Sequence, residues 1–173
     1  MLVIVALHIL RSDLFIAPES EIQAEAQALC LTRGIIYQPY SRDLTYLLSP
    51  MEQHYKFHYE LKWFTRYGRL AVNDPNIVFG FNDNPLNRVS WSANGRLPTF
   101  RTNSDKIFIP SLRRFMTLRE RLAAMGFPVY PSLARASQSP LVERVTSHML
   151  GNAVFLPNVM TVAATCLACT RRY

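Results

Sequence analysis

The stretch RFMTLRERLAAMGFP, Arg114 to Pro128, decides how this chain is read. Thr117 and Glu120 stand at the spacing of a capping box, in which the hydroxyl accepts a backbone N–H one turn on and the carboxylate reaches back to the cap's own N–H. Leu118, Leu122 and Met125 then recur at helical spacing, Gly126 supplies a left-handed stop, and Pro128 bars continuation. The spacing therefore predicts a short, well-bounded amphipathic helix over 118–125.

Immediately ahead of this helix the chain is crowded with charge. From Leu86 to Arg121 the basic residues are Arg88, Arg96, Arg101, Lys106, Arg113, Arg114, Arg119 and Arg121, opposed only by Asp105 and Glu120. That surplus of six is nearly the whole net charge of +7. Seven of the eight are arginine, whose planar fork can grip a phosphate or a guanine edge in two places at once. Trp91, Thr99, Thr102, Asn103 and Ser104 are interleaved with them and can stack on a base or donate to phosphate oxygens. A charge run by itself reads equally well as a solvated face without a ligand.

Further toward the N-terminus, residues 69–110 are broken by Asp74-Pro75, Asn84-Pro85, Asn94-Gly95, Leu97-Pro98 and Ile109-Pro110. Between the breaks, Ile77 to Phe81, Leu97 to Thr102 and Lys106 to Ile109 are short β-prone pieces, so the region is expected to be irregular and poor in sheet. Ser49, Pro50 and Glu52 open a second helix that runs to Gly68. Its aromatic residues, Tyr55, Phe57, Tyr59, Trp63, Phe64 and Tyr67, are spread around it, which implies that several pack under neighbouring loops. Ser20 with Gln23 forms a third box, predicting a helix over 21–33 that ends at Gly34.

The two ends are apolar. Met1 to Leu10 covers only about half a bilayer and reads as a buried strand; as a signal peptide it lacks a basic leader and a small-residue cleavage site. Gly151 to Thr170 is uncharged and followed by Arg171 and Arg172, but Asn152, Pro157, Asn158, Thr161 and Thr165 interrupt it. Apolar residues at 155, 156, 159, 160, 163 and 167 fit one face of a helix packed in a core. Membrane association is thus the less favoured reading of that segment.

Composition sets the outer limits. With 173 residues, 49% apolar and 18% charged, the chain is neither disordered nor fibrous and is long enough to bury a core without staples. Three cysteines, Cys30, Cys166 and Cys169, do not make a disulfide framework and favour a reducing compartment. Cys166 and Cys169 form C-x-x-C, but only His148 lies near as a further ligand, so buried packing is expected rather than zinc. His54 and His58 have the spacing of two ligands on a helix face, yet the intervening glutamate of a metalloprotease motif is missing, and they read as surface or stacking residues. The basic balance points to a polyanionic partner, most simply nucleic acid.

Arg114 to Pro128 resembles the R-x-L-T-x-R-E…GFP segment, motif IX, of the DNA cytosine C5-methyltransferases, with Met116 where the family usually has leucine. Gly151-Asn-Ala-Val154 resembles motif X of that family, and Asn84-Pro85 with Leu97-Pro-Thr-Phe-Arg-Thr-Asn103 resembles the end of a target recognition domain. The likeness spans roughly residues 80–168, about half the chain. Nowhere, however, is there a Pro-Cys nucleophile loop, an E-N-V, an F-x-G-x-G turn or a Q-x-R-x-R.

The resemblance implies an α/β fold: the C-terminal segment of an S-adenosylmethionine-dependent methyltransferase fold with an irregular α+β target-recognition region. The expected divisions are residues 1–37, an N-terminal strand and helix; 38–110, resembling target recognition; and 111–173, the helices of motifs IX and X. DNA contacts are expected at Arg96, Thr99, Arg101, Thr102, Asn103, Arg113 and Arg114, and Arg114 has a second option in the carbonyls of the preceding segment. S-adenosylmethionine contacts are implied at Gly151, Asn152 and Ala153, though only together with the missing N-terminal motifs. No catalytic residue and no metal is expected. The expected partners are double-stranded DNA and a separate chain carrying those motifs, and the expected location is intracellular, nuclear in a eukaryote and cytoplasmic in a bacterium. A stand-alone basic module that binds nucleic acid without chemistry is the alternative.

Overall fold

The structure, a computed structural model, describes residues 16–81, 83–93, 97, 106–124, 160 and 162–167. Among the described residues, α1 (Glu19–Arg33), α2 (Pro50–Tyr67) and α3 (Leu118–Ala124) are helices whose bounds are defined. Four short strands are β1 (Val78–Gly80), β2 (Trp91–Ser92), β3 (Ile107–Ile109) and β4 (Arg114–Phe115). Single 3-10 turns at Thr45–Leu47, Ala71–Asn73 and Pro110–Leu112 join them. The result is a mixed α/β arrangement around one small antiparallel sheet.

The order across the sheet is β2-β1-β3-β4. Phe79 is opposite both Trp91 and Phe108, and Ile109 is opposite Arg114. Alternation along the strands sorts the side chains onto two faces. Phe79 and Phe108 point toward α2, joining Tyr59, Trp63, Phe81 and Leu48 in one core, with Phe115 packed against it. Val78, Ile107 and Ile109 point the other way, onto Met116 and Ala124, with Leu97 and Leu112 at the margin. Both central strands are therefore buried on both faces, unlike the half-wet sheet usual for antiparallel strands. A third cluster holds α1 to the turn at Thr45–Leu47 through Ile22, Ala26, Cys30, Leu44 and Leu47.

α2 starts and stops where its sequence says it should. Ser49 Oγ accepts from Glu52 N–H, Glu52 returns the bond to Ser49 N–H, Pro50 occupies the first turn, and Gly68 takes the left-handed cap at φ 66°. Tyr59 and Trp63 are buried, and the Tyr59 hydroxyl donates to Gly80 O (2.9 Å) and accepts from Ser90 N–H (3.3 Å), pinning the β1–β2 connection. Phe57, Phe64 and Tyr67 remain exposed, so fewer of the aromatics pack inward than their number suggests.

α1 differs from its reading. It begins at Glu19 after Pro18, with no side-chain cap, and Gln23 binds Glu19 and Ser41 rather than closing a box with Ser20. Pro18, in extended conformation, sets the entry, and its carbonyl takes the first backbone N–H groups. Gly34 caps the far end as expected, at φ 65°. β2 and β4 have no counterpart among the sequence-predicted strands, and Leu97 is not in a strand.

The apolar opening run lies outside the described residues, as do the end of the helix at Gly126, His148 and Cys169. Of the C-terminal segment, Met160 and residues 162–167 are helical, but Met160, Ala163 and Leu167 are exposed instead of packed. Periodicity marks a face without supplying a surface to meet it, and among the described residues none of the three buried clusters includes a member of this segment. Cys166 is likewise exposed rather than buried. Among the described residues no helix is long and apolar enough to cross a membrane.

Candidate nucleic-acid interface

Four of the six described cations in the arginine-rich region are paired with acidic groups. Arg114 is the clearest case. It stands on β4, and its guanidinium makes a two-pronged contact with Glu120 (2.6 and 2.8 Å) while donating to the Phe115 carbonyl (3.0 Å). Both side chains are buried, at 6% and 4% exposure. Glu120 also accepts from the N–H groups of Ala17 (3.0 Å) and Thr117 (2.9 Å), and Thr117 Oγ1 accepts from Glu120 N–H (3.2 Å). The capping box read from the sequence is therefore present, and its carboxylate is the hub of a wider knot. Arg114, expected at DNA, is instead enclosed: its fork is filled by a carboxylate and a carbonyl, leaving no open edge for phosphate. The carbonyl it meets is that of Phe115, the next residue, and not one of the preceding segment.

The remaining cations follow the same pattern. Arg119 pairs with Glu21 of α1 (3.1 Å), and Leu118 N–H donates to Glu25 (2.9 Å), so α3 is laced to α1 along its first turn. Arg121 is buried, with Nε donating to the Thr117 carbonyl. Lys106, at the start of β3, meets Glu52, which also receives both prongs of Arg33. Burial alone would raise the Glu52 carboxyl, but the hydrogen bonds from Arg33, Lys106 and Ser49 outweigh it and hold the group at about 2. Arg33 also donates to the Leu47 carbonyl, so one ion group joins α1, α2 and β3.

Arg113 is different. It adopts the left-handed conformation at φ 52°, which turns its side chain outward beside Asp43 (2.7 Å), and both partners are about half exposed. Burial pushes Asp43 up, while hydrogen bonds from Thr45 and Arg113 pull it down further, leaving it below the usual carboxylate range. Such an open pair is weak and can exchange its carboxylate for a phosphate. Arg88 is exposed and makes no ion pair with another described residue.

Arg96, Thr99, Arg101, Thr102 and Asn103 lie outside the described residues, as do Gly151, Asn152 and Ala153. The described residues around the first five are Ser92, where β2 ends, Lys106, just before β3, and Leu97, which packs on the face formed by Val78, Ile107 and Ile109.

Sequence reasoning missed the Arg33–Glu52–Lys106 group and the α1–α3 lacing, because their partners are far apart along the chain and no local pattern marks them. Glu120 was legible as a capping residue, though not as a hub. Sequence reasoning also missed a cluster at the end of α2, where Trp63 and Tyr67 pack tilted on each other and Trp91 meets both edge to face, with Arg66 over Tyr67 and Arg69 over Trp63. His54 and His58 are in edge-to-face contact at 4.3 Å, as their stacking reading has it. Among the described residues no group of His, Cys, Asp and Glu is arranged to hold a metal ion. Comparison with family models, curated proteins and solved structures finds no match to this chain.

Proposed function

We propose that this chain is the C-terminal part of a DNA cytosine C5-methyltransferase: a target-recognition region that grips duplex DNA, fastened by a motif IX helix, with the nucleophile and the methyl-donor site supplied by sequence outside it. The observation that carries this reading is the Arg114–Thr117–Glu120 knot. These are the residues by which Arg114 to Pro128 resembles motif IX, and their side chains are spent on one another and on Ala17 rather than on solvent. A brace between a recognition region and a catalytic body needs that kind of internal fixation.

With Arg114 assigned to the brace, DNA contact falls to Arg96, Thr99, Arg101, Thr102 and Asn103, with Arg88 and Arg113 on the flanks. Arginine forks among hydroxyl and amide donors suit phosphates and base edges together. S-adenosylmethionine, by the same resemblance, would meet Gly151, Asn152 and Ala153 only when the missing motifs are present. The chain alone transfers no methyl group on this reading, since it has no Pro-Cys thiolate to attack the cytosine ring.

The test is duplex binding at fixed salt by the intact chain and by Arg96→Ala and Arg101→Ala. Each substitution should weaken binding by about 1 kcal/mol or more. Unchanged affinity would overturn the assignment of this segment. Equal loss on every duplex sequence, with no methylation restored by a chain carrying the N-terminal motifs, would favour the stand-alone basic module.

A further inference from the structure

We infer that Arg66, Tyr67 and Trp91 form a stacking site for an unpaired nucleobase and its adjoining phosphate. This site goes beyond the duplex grip proposed above and does not depend on the methyltransferase reading. Tyr67 ends α2 and is 41% exposed. It lies 4.1 Å from the buried ring of Trp63 and 6.4 Å from Trp91, and Trp91 meets Trp63 edge-on at 5.6 Å. Trp63 is thus a fixed foundation under two partly open rings on different elements, one on a helix end and one on the edge strand β2.

Two guanidinium groups belong to the same cluster. The exposed Arg66 has its guanidinium carbon 5.5 Å from the Tyr67 centroid, and that of Arg69 is 5.8 Å from Trp63. Arg69 is held by Asp74 (2.8 Å), whereas Arg66 makes no ion pair with another described residue. The carbonyl end of α2 carries partial negative charge, which these two cations offset.

Two partly exposed aromatic rings beside a guanidinium that has no ion pair with another described residue match one ligand chemistry. A base presents a π-face that stacks on tyrosine or tryptophan whatever its identity, and its phosphate takes the planar fork of arginine. Bases within a duplex are already stacked on their neighbours, so the ligand is an unpaired nucleotide. In sequence, Trp91 stands five residues before Arg96 of the proposed duplex grip.

The protein's two tryptophans, Trp63 and Trp91, both belong to this cluster, so selectively excited tryptophan emission reports on it. The experiment titrates the full chain with oligothymidylate, with an abasic oligomer of the same length, and with thymidine monophosphate. Oligothymidylate should quench the emission; the abasic strand, with its phosphates but no bases, should not. Thymidine monophosphate should bind much more weakly, which separates a strand from a free nucleotide. Tyr67→Ala and Arg66→Ala should each lower oligothymidylate affinity by at least about fivefold, while Tyr67→Phe, which keeps the ring, should bind as the wild type does. Duplex affinity should be unaffected by Tyr67→Ala, so this site and the duplex grip fail separately. Equal quenching by the abasic strand, or unchanged affinity in both alanine variants, would overturn the proposal.

Discussion

Arg114 and Glu120 show how a residue's role changes once its partner is known. Two charges removed from water together are tolerated because each prong of the fork finds an oxygen and the carboxylate's other lone pairs are met by Ala17 and Thr117. Removing one of them leaves the other buried and unpaired. Arg114→Ala should therefore cost about 3–5 kcal/mol of folding stability, measured by urea unfolding. A loss below about 1 kcal/mol accompanied by weakened DNA binding would return Arg114 to the DNA surface. Glu52 offers a second residue-level test, through pH. Its carboxyl is held at about 2 in the folded chain against an ordinary 4.5, so its stabilisation is complete above pH 4.5 and is lost as pH falls toward 2. Because Lys106 is half exposed and therefore screened, the effect is on the order of 2 kcal/mol. Glu52→Gln should be less stable at neutral pH and should show a flatter acid limb than the wild type in unfolding curves recorded across that window.

At the scale of elements, what is legible in sequence is what is local. Ser49-Pro50 with Glu52 and Gly68 bound α2 as read, and Gly34 and Thr117 do the same for their helices, because caps act across one turn. Ser20 misleads for a related reason: the spacing of a box is present, but Pro18 already starts the helix two residues earlier. A pair of substitutions tests this difference. Ser49→Ala should cost about 1 kcal/mol in thermal or urea unfolding, whereas Ser20→Ala, inside the first turn with no capping bond to lose, should stay within about 0.5 kcal/mol. Equal losses would mean that Ser20 caps α1 after all. β2 and β4 were illegible because a two-residue strand carries no period of its own. Trp91 and Arg114 become strand residues only through pairing with Phe79 and Ile109, and no local pattern marks contacts of that kind.

For the whole molecule, about half of the basic surplus is matched by acids from elsewhere in the chain. Lys106, Arg113 and Arg119 reach back to Glu52, Asp43 and Glu21, while Arg114 is met by Glu120 within the region, so the described part of the arginine-rich region is tied to α1, α2 and the turn between them. The sequence displays the excess of positive charge but not its distribution, since these acids lie among the N-terminal half and the capping box. That distribution has a measurable consequence for DNA. Binding of cations to phosphate releases counterions, and the slope of log affinity against log salt is about −0.9 for each contact on duplex DNA. If all eight basic residues between Leu86 and Arg121 faced DNA, the slope would be about −7. With Lys106, Arg114, Arg119 and Arg121 engaged internally, only Arg88, Arg96, Arg101 and the loosely paired Arg113 remain, and a slope of about −3 to −4 is expected. The measurement is duplex affinity over a series of salt concentrations. A slope near −7 would mean that the internal pairs open on binding, and a slope near zero would remove nucleic acid as the partner.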